Sequence, residues 1–118
     1  MWRRLLAWFG IGQNEKQIVE YFAKKSTQAL LQGHYGAAIR YLDRALEFQP
    51  ESNRLYLAKG VIYREGLNNL AEALKCLKQA TALPVRGDLE NELARERARD
   101  LIREIMQSGK QENDHVQH

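Results

Sequence analysis

The chain has 118 residues, a hydrophobic content of 44% and a formal net charge of +3, the values of one ordinary globular domain. Acidic and basic residues are mixed along it, without the basic stripe or recognisable module of a nucleic-acid-binding protein, so we expect no nucleic-acid partner. The single cysteine, Cys76, excludes an internal disulfide framework and favours a reducing compartment, where we expect it to be a small buried hydrophobe.

Residues 1–12 differ from the rest of the chain because they combine a helical stripe of large apolar side chains with two arginines. The segment is too short to span a bilayer, and it lacks a convincing secretory cleavage site, so we expect a chain that is not exported. Three interpretations remain open: a weak anchor on an anionic membrane surface, a segment that packs on its own domain, or a contact to a partner or a second copy. The residues concerned are Trp2, Arg3, Arg4, Leu5, Leu6, Trp8 and Phe9.

Four helices are predicted between residues 14 and 84. The first runs from about 14 to 31 with Asn14 as its cap, and the second runs from the Gly33–Gly36 turn to about Phe48. Pro50 stops the second helix. The third begins at Ser52 or Asn53 and runs to about Arg64, and the fourth begins at Asn68 or Asn69 and ends before Pro84.

A fifth helix is predicted for residues 88–107, with Asp88 as its cap and Ser108-Gly109 as its end. We interpret it as the polar-faced terminal helix that closes a helical array, and we expect residues 108–118 to form a polar, flexible tail. Its apolar positions are Leu89, Leu93, Ala94, Ala98, Leu101, Ile102, Ile105 and Met106.

One pattern in the chain occurs twice. The motif Ala38-Ile39-x-x-Leu42-x-x-Ala45 returns as Ala73-Leu74-x-x-Leu77-x-x-Ala80, and a proline follows each copy. The preceding helices also align, because Phe22, Ser26 and Ala29 match Tyr56, Gly60 and Tyr63 at one constant spacing. A supersecondary unit repeated at such a period predicts a helical solenoid, in which small residues let the helices approach and large ones fill the remaining space.

These residues resemble the tetratricopeptide repeat, a helix-turn-helix unit of about 34 residues. The resemblance covers residues 19–84 and implies an all-α fold, a short right-handed α-solenoid whose repeats span about 19–50 and 53–84, within a domain of residues 13–107. The sequence departs from the family pattern at Ala29, where a tyrosine is usual, at one extra residue between the helices of the second copy, and at Pro84, which comes one position early. The matching positions are Phe22, Ser26, Ala29, Gly33-His34-Tyr35, Ala38, Ala45 and Pro50, then Tyr56, Gly60, Tyr63, Gly66-Leu67-Asn68, Ala73, Ala80 and Pro84.

The resemblance also implies a concave groove lined by the first helix of each repeat. Its centre is expected to be apolar and its rim charged, with Arg54, Arg64 and Glu65 as selectors. Ala23 and Thr27 stand where a clamp for a carboxylate terminus needs lysine and asparagine, which argues against that class of ligand. The alternative is that some of these residues only contact the fifth helix. The predicted groove residues are Ala23, Thr27, Leu30, Leu31, Arg54, Leu57, Val61, Arg64 and Glu65, with Glu20 beside them.

The sequence contains no catalytic constellation, no metal-ligand spacing in a rigid element and no phosphate-binding loop, so we expect a protein that is not an enzyme and needs no cofactor. We predict a cytoplasmic protein–protein interaction module, such as an adaptor, an assembly factor or a chaperone-like module. It would bind a peptide or the apolar face of an amphipathic helix. Two alternatives stay open: a peripheral membrane tether that uses residues 1–12, and a structural subunit that forms homo-oligomers through its terminal elements.

Overall fold

The computed structural model describes Arg4 and residues 14–116, with side chains up to residue 109. Within these residues the chain is helical and contains no strand, as the all-α prediction requires. The helices are α1 (Glu15–Leu31), α2 (Tyr35–Phe48), α3 (Asn53–Val61), a π-helical turn (Ile62–Gly66), α4 (Leu70–Ala82) and α5 (Leu89–Val116).

Four of the five α-helices begin at a polar residue whose side chain accepts a hydrogen bond from a backbone N–H group of the first turn. Such caps satisfy donors that have no partner inside the helix, so they fix where each helix starts. All four were predicted at the helix starts, Asn14 and Asp88 singly and Ser52 and Asn69 each as one of two alternatives. The bonds run from Gln17 N to Asn14 Oδ1 (2.8 Å), Leu55 N to Ser52 Oγ (3.2 Å), Glu72 N to Asn69 Oδ1 (3.1 Å) and Asn91 N to Asp88 Oδ1 (2.8 Å).

The helices form two hairpins, α1 with α2 and α3 with α4, and α5 packs against α3 and α4. One apolar cluster joins the first hairpin to the start of the second, and in it the rings of Phe22 and Phe48 stack with their centroids 6.5 Å apart. A second cluster joins the second hairpin to α5 around Leu77, Ala98 and Leu101. The all-α helical-repeat prediction is therefore confirmed.

Small side chains mark the closest approaches between helices. A Cβ atom at Gly60 would lie 2.7 Å from Cδ2 of Leu77, so a larger residue there would force α3 and α4 apart. The hydroxyl of buried Ser26 donates to the carbonyl oxygen of Ala38 at 2.9 Å, which joins α1 to α2. Both residues occupy the same position of the repeat, where the sequence predicted a small side chain for this reason.

The extra residue of the second repeat is accommodated by the π-helical turn at Ile62–Gly66. The N–H group of Leu67 donates to the carbonyl oxygen of Ile62, five residues earlier, a spacing that takes up one more residue than an α-helical turn. The next residue, Asn68, has a φ of 50°, and Gly33, at the matching place in the first repeat, has a φ of 78°. Gly33 and Asn68 are equivalent only when the extra residue is counted, whereas Ser26 and Gly60 are equivalent without it. The insertion therefore lies between Gly60 and Asn68, inside the first helix of the second repeat.

Helix α5 differs from its prediction in two respects. It continues to Val116 instead of ending at Gln107, because Gly109 does not adopt the left-handed conformation that ends a helix. Three of its predicted apolar positions, Leu89, Leu93 and Met106, are also exposed. The physical reason is that α5 packs on only one side, against α3 and α4, so only the stripe through Ala98 and Leu101 is buried.

Candidate binding groove

The helices α1, α3 and α5 lie side by side and form a surface that we call the groove face. Arg54, at the start of α3, connects all three. Its guanidinium donates to Glu20 of α1 at 3.0 Å and lies 3.8 Å from Glu90 of α5. Its backbone N–H donates to the side chain of Asn91 at 3.1 Å, so α5 also caps the start of α3. The predicted rim residue Arg54 is therefore the junction of the groove face.

A polar cleft of about 640 Å³ opens at this junction, between the first turns of the three helices. It contains three carboxylates, Glu20, Asp88 and Glu90, against two cations, Lys16 and Arg54, so its formal charge is −1. Its volume lies in the range of pockets that hold small ligands or large side chains. The complete lining is Lys16, Glu20, Gln49, Ser52, Arg54, Asp88, Leu89, Glu90 and Asn91.

At the far end of the groove face, Arg64 repeats the pattern of Arg54. It lies 3.1 Å from Glu104 of α5 and 3.7 Å from its neighbour Glu65. Both predicted basic rim residues are thus paired with acidic residues of the same chain. Because the pairs are partly exposed, we expect each to contribute no more than about 1 kcal/mol to stability.

The predicted apolar centre divides into covered and uncovered parts. Leu57 and Val61 of α3 are half-buried, and they pack against the cluster that α3 shares with α4 and α5. Leu30 and Leu31, near the end of α1, are 38% and 83% exposed. Thr27 is exposed, and its hydroxyl donates to the carbonyl oxygen of Ala23 at 3.1 Å, within its own helix. Of the predicted apolar centre, the leucines of α1 are therefore exposed, whereas the leucine and valine of α3 are partly covered.

Helix α5 also contributes to the groove face, which the sequence did not predict. Its residues there are Glu90, Asn91 and Glu104, with the exposed Leu89 beside the cleft. A signal for them was present, since the small residues Ser26 and Gly60 are followed, at the same spacing again, by Ala94, which is also buried. By this spacing α5 stands in the position of the first helix of a third repeat.

Two titratable groups lie in the packing beside α3. Burial alone lowers the pKa of Lys59, but the carboxylate of Asp43, 2.7 Å from its Nζ atom, offsets this, and the pKa of Lys59 is raised. This ion pair joins the second helix of the first repeat to the first helix of the second. Burial raises the pKa of the Cys76 thiol, which agrees with its predicted role as a buried hydrophobe.

The predictions for residues 1–12 fall outside the described part of the chain, except for Arg4. Among the residues that the structure describes, no helix is both long enough and apolar enough to cross a membrane.

Comparison with known proteins agrees with the repeat geometry. The family model described as the tetratricopeptide repeat matches residues 54–84, which include α3, the π-helical turn and α4. No curated protein and no solved structure matches the chain significantly. The match covers the repeat that contains Arg54, Gly60 and the insertion, and it confirms the resemblance predicted from the sequence. Residues 54–84 are therefore similar to a tetratricopeptide repeat, which supports the assignment of the chain to that family.

Proposed function

We propose that the groove face binds a segment of a partner protein, either an amphipathic helix or an extended hydrophobic stretch. Tetratricopeptide repeats are in general non-catalytic modules for protein–protein interaction, and solenoids of this kind present extended surfaces to their partners. The observation that carries the proposal is an open cleft of about 640 Å³ beside apolar side chains that are exposed among the residues the structure describes.

The proposed apolar contacts are Leu31 on α1 and Leu89 and Leu93 on α5, which are 83%, 66% and 53% exposed. Leu57 and Val61 support this surface from below, because they hold α5 against α3. Exposed leucines can be covered by the apolar face of a helix, as in other helix-in-groove complexes. The groove would then select a partner first by its apolar pattern.

Charge would select the orientation of the bound segment. Arg54 and Arg64 are neutralised by acidic residues within the chain, so they are poor sites for a carboxylate of the partner. Glu20 and Glu90 each keep much of their side chain exposed while they contact Arg54. A basic residue of the partner beside its apolar stripe would fit this arrangement, because complementary charge fixes the register of an interface. An adaptor or assembly factor would use such a site.

The test is a selection of binding peptides from a phage-displayed random library, with the chain as bait, followed by affinity measurements on the enriched peptides. Thr27→Arg and Leu93→Arg place charge on the groove face without disturbing buried contacts, and we expect each to weaken binding about tenfold, or about 1.4 kcal/mol. Leu70→Arg is the matched control, since Leu70 is 48% exposed on α4, away from the groove face. Equal losses in all three variants, or no enriched peptides, would contradict the proposal.

A further inference from the structure

We propose that residues 1–12 are an internal ligand of the groove face and that a partner must displace them. This inference rests on the proposed function, because the same surface serves both the segment and the partner. The segment is basic and apolar, whereas the cleft has a formal charge of −1 and exposed leucines lie beside it.

The segment joins the domain beside the cleft. Asn14 caps α1, and Lys16, two residues later, lines the cleft. Asn14, to which residues 1–12 are connected through Gln13, therefore lies close to the cleft. Twelve residues span about 18 Å as a helix or about 40 Å when extended. Helix α1 has 17 residues and is about 26 Å long, so the segment is long enough to follow most of the groove face.

The charges of the segment and the cleft are complementary. Arg3 and Arg4 are the basic residues of the segment, which contains no acidic residue. The cleft carries a formal charge of −1, and its carboxylates at Glu20 and Glu90 are only partly occupied by Arg54. An arginine can form paired hydrogen bonds with a carboxylate, which orients it as well as attracting it. The acidic rim would therefore direct the two arginines to the cleft.

The apolar surfaces also correspond. Trp2, Leu5 and Phe9 are spaced to lie on one side of a helix, together with Leu6. Leu89 lines the cleft and Leu93 lies one turn further along α5, and both expose more than half of their surface. Contact between the two sets would remove both from water, which is the dominant favourable term in association. The connection by a short linker adds a high effective concentration.

The chain contains its own probe for this contact, because its two tryptophans, Trp2 and Trp8, both lie in the segment. Indole emission and its quenching by acrylamide therefore report on the segment alone. In the intact chain we expect emission at shorter wavelength than in urea and quenching at least about twofold weaker. High salt should increase the quenching, since it screens the arginine–carboxylate contacts.

The groove variants locate the contact. The double variant Leu89→Arg/Leu93→Arg should shift the emission towards that of the unfolded chain, whereas Leu70→Arg should leave it unchanged. Far-ultraviolet circular dichroism verifies that both variants remain folded, and because Leu89 and Leu93 are exposed we expect that they do. Glu20→Gln/Glu90→Gln is a second, charge-only variant, and it should weaken the salt dependence even if the leucine variant loses structure.

Several results would overturn the inference. Indoles that are as exposed in buffer as in urea would show that the segment does not dock. Exposed indoles that become shielded only when vesicles containing phosphatidylserine are added would assign the segment to a membrane surface instead. Shielding that disappears on dilution, together with a dimeric mass, would assign it to a second copy of the chain.

Peptide binding separates this inference from the proposed function. If the segment occupies the groove, the variant Trp2→Glu/Phe9→Glu should bind library peptides several-fold more tightly than the intact chain. Peptides that bind both chains equally, with exposed indoles, would leave the proposed function in place and remove the internal ligand. If the indoles of the intact chain are shielded but the variant Trp2→Glu/Phe9→Glu binds no peptide, the segment docks on the domain and the proposed function is wrong.

Discussion

Asn53 provides the sharpest test of how the second repeat is held together. Its side chain is fully buried at the start of α3, and its amide group donates to the carbonyl oxygens of Ala80 (2.7 Å) and Leu83 (2.9 Å) at the end of α4. The carbonyl of Ala80 would normally accept from the residue four positions later, which is Pro84 and has no N–H group. Asn53 therefore supplies the donor that the proline cannot.

The substitution Asn53→Ala removes both hydrogen bonds and leaves two carbonyl groups short of a donor. Each intramolecular hydrogen bond contributes about 1 kcal/mol, and an unsatisfied buried group costs about 1–3 kcal/mol. We therefore expect a loss of about 2–4 kcal/mol in the free energy of unfolding, out of a total of about 5–15 kcal/mol for a domain of this kind. The corresponding decrease in Tm is about 10–20 °C.

Urea and thermal unfolding, followed by circular dichroism, measure this loss. Asn69→Ala is the matched control, because Asn69 is an exposed asparagine that caps α4 and its removal should cost only about 1 kcal/mol. Asn53→Asp keeps the shape but directs an acceptor at two carbonyl oxygens, so it should be at least as harmful as the alanine. If Asn53→Ala cost no more than Asn69→Ala, the assignment of Asn53 as a structural bridge would be refuted.

Three further predictions use calorimetry, pH titration and thiol labelling. Gly60→Ala should destabilise the chain by about 1 kcal/mol or more, because overpacking against Leu77 exceeds the gain in helix propensity, whereas Gly109→Ala, in open space, should stabilise it by up to about 0.8 kcal/mol. Because the pKa of Lys59 is raised, its ion pair with Asp43 stabilises the fold below the ordinary pKa of 10.5, and this stabilisation is lost as the pH rises through the folded-state pKa. In alkaline urea titrations, the free energy of unfolding of Asp43→Asn should therefore depend less on pH than that of the intact chain. Because Cys76 is buried and its pKa is raised, it should react slowly with a thiol reagent at pH 8 in the native chain and rapidly only in denaturant. Rapid labelling of the native chain would contradict its burial.

The starts of the helices were predictable because a cap is a local event. Asn14 and Asp88 each accept a bond from a backbone N–H group three residues later, and such a pattern is visible in a short stretch of sequence. Asn53 was not predictable from the same rule. Its neighbour Ser52 is the cap, and the partners of Asn53 lie 27 and 30 residues away on another helix.

The insertion in the second repeat shows a different limit. Counting residues places one extra position between Tyr63 and Ala73, and we expected it between the two helices, but the count does not decide between a longer loop and a wider helical turn. The structure has the wider turn, and Gly66 at its end packs directly against the ring of Tyr35. A side chain at Gly66 would collide with that ring, so the position of the insertion depends on a contact between repeats.

The groove was predicted less completely than the fold, because its composition depends on which helix covers α3. Periodicity places Leu89, Leu93 and Leu101 on α5 as apolar positions, but it does not tell which of them meets a neighbouring helix. Only the stripe that faces α3 and α4 is buried, and Leu89 and Leu93 remain exposed. The same packing half-buries Leu57, for which contact with the fifth helix was the alternative to a role in the groove.

The recurrence of Ser26, Gly60 and Ala94 at one constant spacing explains how two repeats can produce a three-helix groove. Each small residue marks the first helix of a unit, and α5 occupies the third such place, with no second helix after it among the residues that the structure describes. Arg54 then lies between two carboxylates from flanking helices, in pairs too exposed to contribute much stability. Their main effect is to display partly satisfied negative charge beside uncovered leucines. That combination favours a ligand that is both basic and apolar, whether it comes from a partner or from the chain itself.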